Sequence, residues 1–133
     1  MTSRKIQLFY IDDDADDQLL FSLAIKDISP PVELHSFYFC DEALHFMQDE
    51  AKPNPDIIFL DQNIPDKWGN ECLKEIKRLS RFSSIPIVVY TTAEHPRLAS
   101  EAMELGANKY VTKPDSHKEM KETIAAIIAE MVK

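Results

Sequence analysis

Glycine is nearly absent: Gly69 and Gly106 are the only two in 133 residues. That excludes a glycine-rich loop folded around phosphates, which needs several in close succession. Cysteine is as scarce. Cys40 and Cys72 lack metal-ligand spacing and offer no framework of bridges, so the sequence reads as a cytoplasmic chain from a reducing compartment, without disulfides. No apolar run approaches the roughly 20 residues of a membrane-spanning helix. The opening Met-Thr-Ser-Arg-Lys-Ile-Gln has no apolar stretch of the kind a secretory leader needs. Basic charge is in deficit, with 15 Lys and Arg against 23 Asp and Glu, a formal balance of −8. That argues against a nucleic-acid partner and against docking on an anionic membrane.

What is present suits a folded domain. At 44% hydrophobic and 29% charged, residues 1–133 read as one domain able to bury a core. Short β-rich runs alternate with helical periodicity along the whole chain. Strands are expected at 6–11, 32–39, 57–60, 85–90 and 109–112. Helices are expected at 15–28, from an Asp41 N-cap through Leu44 and Met47, and at 70–79, 96–105 and 116–131. Ser29-Pro30-Pro31 stops the first, and Gly106 suits the end of the fourth. In the last, Met120, Ile124, Ile127, Ile128 and Met131 share one face. Strand and helix repeated five times give a parallel sheet with helices on both faces. Function in such sheets collects at the carboxyl ends of the strands.

Those ends carry Asp12-Asp13-Asp14-Ala15-Asp16-Asp17, then Asp61, then Thr91-Thr92, then Lys113-Pro114. Gathering Asp12, Asp13 and Asp61 is unfavourable, because like charges raise one another's pKa. A divalent cation removes the conflict, and magnesium prefers such oxygen ligands. Lys113 adds positive charge near the same point. A carboxylate, a magnesium ion, a lysine and a hydroxyl are the parts needed for a carboxylate to attack phosphorus. Asp16 and Asp17 read instead as solvated acids in the first turn of a helix, where they suit its dipole. His35, His45, His95 and His117 are scattered and read as surface or loop residues.

The motifs resemble those of the receiver domain of bacterial two-component response regulators. The resemblance rests on Ile11-Asp12-Asp13-Asp14, on Asp56-Ile57-Ile58-Phe59-Leu60-Asp61 through Pro65 and Gly69, and on Ile85-Pro86-Ile87-Val88-Val89-Tyr90-Thr91. It continues in Leu105-Gly106-Ala107 and Tyr110-Val111-Thr112-Lys113-Pro114. It implies an α/β, flavodoxin-like, doubly wound sheet of five parallel strands in the order 2-1-3-4-5, with five helices. It implies that Asp61 accepts a phosphoryl group from a sensor histidine kinase or a histidine phosphotransfer protein. Asp12, Asp13, Asp61 and the backbone carbonyl of Asn63 would then hold Mg2+, and Lys113 would contact the phosphoryl oxygens. Thr91 would be the switch hydroxyl and Tyr110 the switch aromatic. Spacing from Pro86 and from Lys113 selects Thr91 over Thr92. A downstream protein would read the face formed by helix four, strand five and helix five.

The length leaves no room for an output domain, so a stand-alone receiver is expected. It would be a phosphoacceptor that catalyses only its own phosphorylation and dephosphorylation. Some positions depart from the family pattern. Trp68 precedes Gly69 where an Asp is common, and Cys40 replaces a frequent turn glycine. Three alternatives stand beside this reading. A haloacid dehalogenase-like phosphohydrolase also uses an Asp after a strand, but has a second Asp where this chain has Asn63. A flavin-binding module would set a phosphate against five carboxylates in the first turn. A partner-binding pseudo-receiver would not need an intact acid pair, acceptor and lysine.

Overall fold

The computed structural model describes residues 5–28, 30–92 and 95–132. The first residues of the opening stretch, and Ser29 of the expected helix stop, lie outside them. Five strands and five helices alternate: β1 (Ile6–Ile11), α1 (Ala15–Ala24), β2 (Val32–Phe37), α2 (Cys40–Gln48), β3 (Ile57–Leu60), α3 (Gly69–Arg78), β4 (Ile87–Thr91), α4 (Pro96–Glu104), β5 (Lys109–Thr112) and α5 (His117–Met131). A 3-10 turn, Ser80–Phe82, follows α3. The strands pair in parallel and the order is β2-β1-β3-β4-β5, as expected.

Strands buried on both faces read as continuous apolar runs. Ile57, Ile58, Phe59 and Leu60 of β3 are all inaccessible to solvent. Side chains alternate across the sheet. Leu8, Tyr10, Phe59 and Tyr90 join Phe21 of α1 and Ile124 of α5 on one face. Phe9, Ile11, Leu60 and Val89 join Met47 of α2, Leu73 of α3 and Ala102 of α4 on the other.

Element ends differ from expectation for local reasons. β4 begins at Ile87 because Pro86 has no N–H for the ladder, though its carbonyl accepts from Ile58 N at 3.0 Å. α1 stops at Ala24, where tighter i→i−3 bonds, such as Ile28 N to Ile25 O at 3.2 Å, replace the helical ones. β2 stops at Phe37, and the Glu42 carboxylate takes the next N–H, that of Tyr38, at 2.9 Å. α5 starts at His117, with Ser116 capping it by accepting from Glu119 N at 3.1 Å.

Asp41 is not the N-cap of α2. The helix opens at Cys40, and its first two N–H groups are taken from a distance by Asp66: Cys40 N at 3.1 Å and Asp41 N at 2.9 Å. Burial pushes the Asp66 carboxyl up, but those two backbone donors outweigh it and hold the group below the usual carboxylate range. His35 is a half-buried strand residue, less exposed than its scattered position suggests. It sits in β2 between the rings of Phe9 and Phe46 and bonds Gln7 at 2.7 Å.

The expectation of no disulfide is overturned. Cys40 and Cys72 are bonded, with their Cα atoms 5.9 Å apart. Packing of α2 against α3 brings together two positions 32 residues apart, which spacing in the sequence does not reveal.

Candidate functional site

Three strand ends turn the aromatic face into a charged one. Asp12 continues the row of Leu8 and Tyr10, Asp61 continues the row of Ile57 and Phe59, and Lys113 follows Val111. The side chains therefore meet where β1, β3 and β5 all end at one rim. Asp12 is fully buried, and Asp61 and Lys113 nearly so. Carboxylate oxygens of Asp12, Asp13 and Asp61 lie within 4.8 Å of one another, Asp13 exposed to solvent and the other two buried.

Lys113 Nζ joins the set, donating to Asp12 at 2.6 Å, Asp17 at 2.8 Å and Asp61 at 3.4 Å. Burial alone would pull its pKa down, but Asp12 and Asp17 hold it above the ordinary lysine value, so the ammonium is charged. The Asp17 contact corrects its reading as a purely solvated acid. It does sit in the first turn of α1, as does Asp16, yet it also neutralises the buried cation. The cap of that helix is Asp14, which accepts from Asp16 N at 2.9 Å and Asp17 N at 3.0 Å.

Two buried polar side chains missed in the sequence hold this corner. The Tyr10 hydroxyl donates to Asp12 Oδ2. Gln18 Nε2 donates to the carbonyls of Tyr10, Asp12 and Phe37 at 3.3, 3.0 and 3.2 Å, tying the ends of β1 and β2. Their only sequence signal is a polar side chain on an otherwise apolar face. Burial pushes the Asp12 carboxyl up, against the pull of Lys113, Tyr10 and the Asp14 N–H. The Tyr10 phenol is pushed far up by burial and by Asp12, and burial pushes Tyr90 up to about 12.

Asp61 Oδ1 is buried and has no hydrogen-bond partner. An orphaned carboxylate oxygen in this position is costly unless a cation meets it. Together with the three-carboxylate cluster, it fits an oxygen-coordinated divalent ion. The exposed side chain of Asn63 lines, with Asp13, Pro65, Lys67 and Trp68, a cleft of about 600 Å³ beside the cluster.

Gly69 keeps the loop after β3 close to its own strand. A Cβ there would lie 2.5 Å from the Asp61 carbonyl oxygen and 2.6 Å from Gln62 Cα, both backbone atoms. Its N–H closes the loop on the Gln62 carbonyl at 2.9 Å. Gln62 in turn donates to Asn70 at 2.8 Å, and Asn70 donates to the Leu98 carbonyl of α4 at 3.2 Å.

By the alternation of the strands, Thr91 and Tyr110 belong to the opposite row from the charged set. Thr91 ends β4 in the row of Ile87 and Val89 and is fully buried, whereas Thr92 is exposed. Tyr110 pairs with Val89 in register and packs on the α2–α3–α4 side.

Residues 8–125 match the family model described as the response regulator receiver domain. Response regulator Rcp1 of Synechocystis sp. is 35% identical over 89 residues, which cover 64% of this chain and 60% of that protein. The phosphate regulon transcriptional regulatory protein PhoB of Escherichia coli is 34% identical over 98 residues, covering 74% of this chain and 40% of that protein. The matched stretch thus spans less than two thirds of either relative. Among solved structures, the Mn2+-bound form of Rcp1 superposes with a TM-score of 0.85 at 29% identity, covering 96% of this chain and 95% of that one. A phosphorylated cyanobacterial phytochrome response regulator, RcpA, superposes with a TM-score of 0.88 at 26% identity, covering 96% and 94%. With the strand order, the acid cluster and the lysine in view, the match over most of its length means that the chain belongs to the response regulator receiver domain family.

Proposed function

We propose that Asp61 accepts a phosphoryl group from a phosphohistidine on a sensor kinase or phosphotransfer protein. The observation that carries this is the unpartnered Asp61 oxygen inside a cluster of three carboxylates and one buried ammonium. A carboxylate oxygen of Asp61 attacks phosphorus, an O–P bond forms, and the P–N bond to the imidazole breaks. Asp12, Asp13, Asp61 and the Asn63 carbonyl would hold Mg2+, which when bound neutralises charge on the phosphoryl oxygens. Lys113 neutralises a further share. To do so its ammonium turns from Asp17 toward the new oxygens, a short movement given that it already lies 3.4 Å from Asp61.

Phosphorylation adds charge and three acceptor oxygens at the rim. In this reading Thr91 bonds one of those oxygens and Tyr110 follows into the space released. Their adjacency across the β4–β5 pair, where Val89 faces Tyr110, supports the coupling. The surface of α4, β5 and α5 then changes its preference for a protein partner, or the phosphoryl group passes onward. The unit at work is the domain of residues 1–133, acting in the cytoplasm as a phosphoacceptor that turns over only its own phosphate.

Incubation with magnesium and acetyl phosphate tests it. Intact mass rises by one phosphoryl group in the native chain and stays constant in Asp61→Ala. An unchanged native mass with several donors overturns the reading.

A further inference from the structure

Neither cysteine takes part in the chemistry above, yet the fold sets both beside the loop that carries it. Cys40 opens α2 and Cys72 lies in α3, and neither is accessible to solvent. The bond between them closes a ring over residues 40–72, which contains all of β3, Asp61 and the loop down to Gly69. That loop is also held on α2 by the Asp66 carboxylate, and on both helices by Lys67. Lys67 pairs with Asp41 at 2.9 Å and also with Glu75. The sulfur bridge adds a covalent link between α2 and α3, the two helices on which the loop is anchored.

We propose that Cys40 and Cys72 form a reversible dithiol–disulfide site that sets the freedom of loop 62–69, and through it the grip of the acid cluster on a divalent cation. The second half rests on the phosphoacceptor reading; the first does not. Disulfides in thiol-rich compartments are usually transient and redox-sensing, not structural. The 5.9 Å between Cα atoms lies within the span a disulfide bridges.

The chemistry balances with a small-molecule disulfide such as glutathione disulfide as oxidant. One cysteine thiolate attacks it, a mixed disulfide forms and one glutathione thiolate leaves. The second cysteine thiolate then attacks the mixed disulfide and displaces the other glutathione. The two cysteine protons end on the two released thiols, and the protein gives up two electrons. A small dithiol runs the sequence backward. Because both sulfurs are buried, exchange requires the start of α2 to lift from α3, so it is slower than at an exposed pair.

The full chain is cycled between glutathione disulfide and dithiothreitol, and free thiols are counted by alkylation and intact mass. The expected result is no free thiols after oxidation, two after reduction, and return on reversal. Each form is then titrated with Mg2+ or Mn2+. The readout is the fluorescence of Trp68, the only tryptophan, which lies on the loop itself. Binding is expected to be about fivefold or more tighter in the oxidised form. A Cys40→Ala/Cys72→Ala chain should bind like the reduced form and ignore the oxidant. Thiols that do not interconvert overturn the redox site, and equal affinities in the two forms overturn the coupling. Loss of metal binding and of phosphorylation in both forms would instead remove the phosphoacceptor reading, while the thiol count would still decide the redox half.

Discussion

On the face covered by α1 and α5, the rings of Tyr10, Phe21, Phe59 and Tyr90 pack on one another, with Tyr10 stacked on Phe21 at 4.3 Å. On the face covered by α2, α3 and α4, a second ring cluster of Phe9, Phe37 and Phe46 lies toward α2, and smaller side chains such as Ala43, Ala102 and Cys72 pack with Leu60, Leu73 and Val89. The rim above the aromatic face holds Asp12, Asp61 and Lys113, and the charges are supported from below by large buried rings. Above the other face lie Thr91 and the loop of residues 62–68, which a borrowed cap and the ion pairs of Lys67 anchor on two helices joined by a disulfide. In the proposed reading the difference separates two jobs: one face supplies the arrangement of charge, and the other supplies the parts that shift when that charge changes.

Substitutions that act on only one face test this division. Phe21→Ala empties the middle of the aromatic layer and should cost about 3–5 kcal/mol in denaturant unfolding. The divalent-metal affinity of the folded fraction should fall with it, because Tyr10, which donates to Asp12, loses the ring it stacks on. An unchanged affinity would detach the rim from the face beneath it. Gly69→Ala forces a Cβ into two backbone atoms of the loop and should cost about 1–3 kcal/mol. Here phosphorylation from acetyl phosphate should fall much further than stability does, since the displaced atoms belong to Asp61 and Gln62. Smallest in stability is Asp66→Ala, which removes the cap of α2 for about 1 kcal/mol. Because the folded-state pKa of Asp66 is lowered, its stabilisation is present above the ordinary carboxylate range and fades as pH falls through the depressed value. The difference between native and variant chains should therefore shrink in acid, and an unfolding series from pH 7 downward checks it.

Much of the fold was legible because its signals are local. Alternation of short β-rich runs with helical periodicity gives the element order, and Gly106, at φ 107, marks the end of α4 as expected. The rim was legible because Asp12, Asp61 and Lys113 each stand at the last step of a recognisable strand. What escaped depends on contacts between distant segments. Asp66 caps a helix 25 residues away, so Asp41 looked like the nearer candidate. Asp17 has the sequence context of any acid in a first turn, and only the arrival of β5 makes it a partner of Lys113. The Cys40–Cys72 bond depends on how α2 leans on α3, for which the sequence has no short-range sign.

The lysine at the rim has one more consequence. It meets Asp12 across 101 positions and Asp61 across 52, while β1 itself sits in the sheet between β2 and β3. No fragment that ends before β5 contains the ammonium, and a chain still emerging from a ribosome must release everything through Lys113 before the rim can assemble. In the proposed reading, unfinished or half-folded copies then carry acids without their counter-charge and stay silent. In that reading, the capacity to receive a phosphoryl group also reports that β5 has been made and has docked beside β4.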